Sequence, residues 1–111
     1  MRAEAFARQG HLPVAVHRET GEPLPLARVL EEPESAVPPA ELDLDGQIAL
    51  VTARWRAGAW HDIYYGTEGE VDLDRAIREV EAQSDMGRHL LAIGLRAIEM
   101  AREDAVKAEG G

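Results

Sequence analysis

The chain has 111 residues, no cysteine and a formal net charge of −9. That size suits a single domain spanning 1–111, and the missing thiols exclude disulfides, thiolate catalysis, zinc ribbons and iron–sulfur clusters. The negative balance opposes direct nucleic-acid binding and attraction to anionic membranes, while 45% hydrophobic residues are enough to build a core.

The first ten residues, MRAEAFARQG, lack an apolar core segment and do not read as a secretory signal. They read as an N-terminal arm (1–10) that docks through Phe6, the only phenylalanine. His11 to Arg18 alternates polar and apolar residues and is expected to be a strand, with a turn at Glu19-Thr20-Gly21-Glu22 and a return strand from Leu24 to Leu30. Pro13, Pro23 and Pro25 cannot donate ladder bonds, so these strands are short or at an edge.

Residues 31–46 hold Pro33, Pro38 and Pro39 among six acidic residues and read as an acidic, proline-rich surface connection. Within it, Asp43-x-Asp45-Gly46 echoes a calcium loop but lacks the later ligands. Gln47 to Arg56 and Ala59 to Tyr65 are rich in β-branched and aromatic residues around Ala57-Gly58 and are expected to form a second hairpin at the centre of the core. A two-residue loop sets Trp55 opposite Trp60, with Arg54 opposite His61; a bulged loop shifts that register.

The region 72–108 is helical by pattern. Asp72 suits the N-cap of a short helix from Leu73 to Gln83, and Ser84-Asp85 can cap a long one from Met86 to about Ala108, unless the two run on as one. Leu73, Ile77, Val80, Ser84, Gly87, Leu91, Gly94, Ile98, Ala101 and Ala105 recur at spacings of four and three, a sustained seam. The expected fold class is therefore α+β: a small antiparallel sheet built from two hairpins, followed by a short helix and a long one.

The long helix carries the strongest functional signal. From Leu90 to Ala101 only Arg96 and Glu99 are charged, too short and too interrupted for a membrane span but apolar on two sides. A helix of that kind needs two partners. One is its own domain; the second is expected to be another copy, through Gly87, Leu90, Ile93, Gly94, Ala97 and Met100, with a dimer as the favoured closed assembly.

Chemistry is less well supported. Trp55, Trp60, His61 and Tyr64 form the densest polar and aromatic cluster and the candidate ligand pocket, but His61 and Asp62 are adjacent on an expected strand and face opposite ways. His11 and His17 are too far apart to share a metal, and Asp85 with His89 offers only an i,i+4 pair. No GxxxxGK[ST], GxGxxG or GxSxG pattern is present, so no catalytic, cofactor or metal residues are assigned. The expectation is a cytoplasmic, non-enzymatic homo-oligomeric interaction protein acting as an accessory, regulatory or assembly subunit. The alternatives are a small enzyme or ligand-binding protein using the tryptophan cluster, and an acidic inhibitor of a nucleic-acid-binding protein that engages a basic partner.

Overall fold

The computed structural model of the chain describes residues 11–110, with side chains described through Lys107; the expected arm with Phe6 lies outside the described residues. In chain order the elements are β1 (Pro13–His17), β2 (Pro23–Pro25), α1 (Leu26–Glu31), β3 (Ala36–Val37), α2 (Leu44–Arg54), β4 (Ile63–Tyr64), β5 (Glu70–Val71), α3 (Leu73–Ala82) and α4 (Asp85–Gly110). The strands form an antiparallel sheet in the order β2-β1-β3 and a separate β4–β5 ribbon. The class is α+β, as the pattern predicts.

The first hairpin closes where expected. Gly21 takes φ 76°, a conformation that favours glycine, and its N–H donates to the His17 carbonyl at 2.9 Å. His17 Nδ1 accepts from the backbone N–H groups of Glu19 at 3.1 Å and Thr20 at 3.3 Å, tying the turn to its strand. The return strand is shorter than predicted, because from Leu26 the chain turns helical. Leu26 and Val29, three apart, enter the core from α1, so helical spacing rather than alternation governs this segment.

The connection over 31–46 is also corrected. Within it β3 pairs with β1, Val16 opposite Val37 and His17 opposite Ala36, and Ala36 and Pro39 are buried. The prolines sit where donors are dispensable, starting 3-10 turns at Pro33–Ser35 and Pro39–Glu41.

The largest correction concerns Gln47 to Tyr65. Its first half is the helix α2, not a strand. Asp43 caps it, Oδ1 accepting from the Gly46 N–H at 2.8 Å, so the Asp43-x-x-Gly46 spacing that resembled a calcium loop is a helix start. Leu50, Val51, Arg54 and Trp55 are buried, a helical repeat that overrides the β propensity of Ile48, Val51 and Thr52. Thr52 Oγ1 donates to the Ile48 carbonyl at 2.9 Å, which satisfies its hydroxyl inside the helix. Gly58, at φ 125°, ends a wide π turn over Trp55–Ala59 instead of forming a hairpin loop. A second hairpin does exist, displaced along the chain: Ile63 pairs with Val71 and Tyr64 with Glu70.

The C-terminal region is two helices. Asp72 Oδ1 accepts from the Arg75 N–H at 2.9 Å at the start of α3, and Gln83 at φ 53° ends it. Ser84 Oγ then accepts from the Gly87 N–H at 3.0 Å and starts α4. All ten positions of the predicted seam are buried or half-buried, but within the chain. α4 lies against α3, α2 and β1, and the buried side chains of these elements join one continuous core.

Two glycines set how closely α4 approaches its neighbours. A Cβ on Gly87 falls 1.9 Å from the Glu79 carbonyl oxygen of α3, and one on Gly94 falls 2.6 Å from Val51 Cγ1 of α2. The first obstacle is backbone and the second a side-chain methyl. Gly87→Ala is therefore expected to destabilise by about 1–3 kcal/mol, although alanine gains about 1 kcal/mol in helix propensity, and Gly94→Ala is expected to cost less. Urea unfolding checks both; a Gly87→Ala protein as stable as the parent contradicts the α3–α4 crossing.

Candidate functional site

The face of α4 opposite the core carries an exposed apolar stripe. Ile93 is 52% exposed and Met100 49%, and Ala92 and Ala97 are exposed beside them. Together with His89 and Arg96 they line a shallow depression of about 440 Å³. The sequence explains the two-faced character. At about 100° per residue, Gly87, Leu91, Gly94 and Ile98 fall on the inner side, and Ile93, Ala97 and Met100 on the outer.

The predicted interface residues divide accordingly. Ile93, Ala97 and Met100 lie on the outer face. Gly87, Leu90 and Gly94 do not, which is a correction: Leu90 is 1% exposed, and the glycines are occupied by the close contacts with α3 and α2. The small residues that suggested close approach to a second copy serve approach within the chain.

Charged and polar groups frame the outer face. Arg96 Nη1 lies 3.6 Å from Glu99 Oε2. His89 Nδ1 is hydrogen-bonded to Tyr65 Oη at 3.0 Å, with the rings nearly edge-on at 71° and their centroids 5.7 Å apart. Tyr65 directly follows β4, so the pair ties the β4–β5 ribbon to α4. Nothing local in sequence announces it, since the partners are 24 residues apart. The predicted Asp85–His89 pair is replaced by an ion pair between Asp85 and Arg88.

The tryptophan cluster forms without the predicted hairpin. Trp55 is buried and stacks edge-on against Trp60, with centroids 5.0 Å apart and rings at 66°. The π turn brings the two rings together. Trp60 is half-buried, and its indole N–H donates to Asp62 Oδ1 at 2.9 Å. His61 is exposed and Tyr64 is 81% exposed, so the four predicted pocket residues divide into a core pair and two solvent-facing side chains. Arg54 is not opposite His61. It is buried, its Nη1 donating to the Pro13 carbonyl at 3.2 Å, and burial lowers its pKa below the ordinary guanidinium value.

The remaining histidines make contacts with the backbone. His11 Nε2 lies 3.2 Å from the Ala57 carbonyl oxygen, and His17 belongs to the β1–β2 turn. Among the described residues no group of three or more histidine and carboxylate side chains is placed to hold a metal ion, and no helix is long and apolar enough to cross a membrane. No protein-family model matches the chain, and no curated protein or solved structure is similar to it.

The tryptophan geometry leads to an asymmetric expectation. Trp55→Ala removes a buried ring and should cost about 3–5 kcal/mol; Trp60→Ala, at a half-buried site, should cost clearly less. Denaturant titration of the two variants measures the difference, and equal losses would contradict the geometry.

Proposed function

We propose that the chain is a non-enzymatic interaction protein that associates with a second copy of itself through the outer face of α4, as an accessory, regulatory or assembly subunit. The observation that carries this is the exposed apolar stripe Ile93, Ala97 and Met100. A helix resting on its own core needs one apolar stripe about 100° wide, and the inner seam meets that need against α2, α3 and β1. The residues of the outer stripe are not part of that core. The stripe's cost as exposed apolar surface is removed when an identical surface covers it across a two-fold axis.

Light scattering over a range of micromolar concentrations tests the proposal. The parent is expected to rise from the monomer mass of 12.2 kDa toward twice that value. Ile93→Glu should remain monomeric with unchanged helical circular dichroism, because Ile93 is not part of the core. A parent protein that stays monomeric at high micromolar concentration overturns the proposal.

A further inference from the structure

We infer that the two copies run antiparallel, about a two-fold axis that passes between Arg96 and Ala97; this rests on the reading that the outer face of α4 meets a second copy. Successive positions on that face, at spacings of three and four, are His89, Ile93, Arg96 with Ala97, Met100, Glu103 with Asp104, and Lys107. Each of them is exposed. The middle is apolar around Arg96, which pairs with Glu99 of its own helix; the N-terminal side carries His89, and the C-terminal side carries the two carboxylates Glu103 and Asp104 with the single cation Lys107 beyond them. The face is therefore polar in the electrical sense along its own length.

That asymmetry decides the direction of pairing. In a parallel pair every residue meets its own copy: Glu103 and Asp104 face the same carboxylates, and Lys107 faces Lys107, whereas Arg96, beside the axis, lies near its mate in either arrangement. Like charges set directly across an interface destabilise it. In the antiparallel pair, the midpoint of Ile93 and Met100 becomes the axis. Ile93 of each copy then meets Met100 of the other, Arg96 lies beside Ala97, and His89 meets Asp104. His89 engages Tyr65 through Nδ1, so Nε2 is the ring nitrogen available to a carboxylate across the interface. Ala97 beside the axis lets the two helices approach closely at its centre.

The chain contains no cysteine, so single-cysteine variants on this exposed face report the register directly. In the antiparallel pair, position 97 lies within about 1.5 Å of its mate along the axis, and Ala97→Cys should cross-link to itself under mild oxidation. Position 93 and its mate are displaced by seven residues, about 10 Å, too far for a disulfide. Ile93→Cys should therefore stay unlinked alone and form a mixed disulfide with Met100→Cys. Self-linking of Ile93→Cys in a protein that is dimeric by light scattering overturns the antiparallel register and leaves the self-association intact. A monomeric parent overturns both, including the case in which residues 1–10 of the same chain cover the face. A dimer in which neither Ala97→Cys nor the mixed pair links places the interface elsewhere, and also overturns both.

Discussion

The fold depends on how closely α4 approaches the elements around it. At Gly87 the helix lies against the backbone of α3, and at Gly94 against the side chain of Val51 on α2. Neither position leaves ordinary room for a Cβ. Dispersion forces fall off steeply with separation, so these contacts let the flanking residues, Leu90, Leu91 and Ile98, reach full burial in a chain with a modest core. The same contacts fix the rotation of the helix about its axis, and with it which residues are left outside. The outer stripe is thus a consequence of the inner seam.

Legibility followed the range of the interactions that decide each element. The helix starts at Asp72 and Ser84 and the turn at Gly21 are local, with caps or a positive φ supplied within three residues, and the pattern predicted them. The inner seam was equally legible, because its burial follows from periodicity alone. α2 was not: Ile48, Val51, Thr52 and Trp55 have strand-forming side chains, and only the fit of Val51 and Trp55 against Gly94 of α4, some forty residues on, together with the Asp43 cap, makes the helix the better solution. β3 was missed for a related reason, since its two residues gain their order from β1 and not from their own sequence.

Part of the candidate site was legible and part was not. That α4 has two apolar sides can be read from Leu90 to Ala101. Which side each residue takes depends on the elements the helix packs against, and the approach to α3 and α2 turns Gly87, Leu90 and Gly94 inward. The Tyr65–His89 bond depends on the β4–β5 ribbon folding back toward α4, an event encoded in no short stretch of chain. The tryptophans show the converse case. The pattern predicts their proximity through a hairpin, and a π turn achieves it by a different route.

Ile93 and Ile98 stand five residues apart on one helix, the first half-exposed and the second fully buried, and they report the two faces of α4 separately. Isoleucine methyl resonances recorded with a soluble nitroxide, at several protein concentrations, test both faces at once. The account predicts that Ile98 is shielded from the nitroxide at every concentration. Ile93 should be broadened in dilute solution and become shielded as concentration rises. An Ile93 methyl that stays open to the probe at all concentrations would contradict the assignment of the outer face to a second copy, and an Ile98 methyl open to the probe would contradict the inner seam itself.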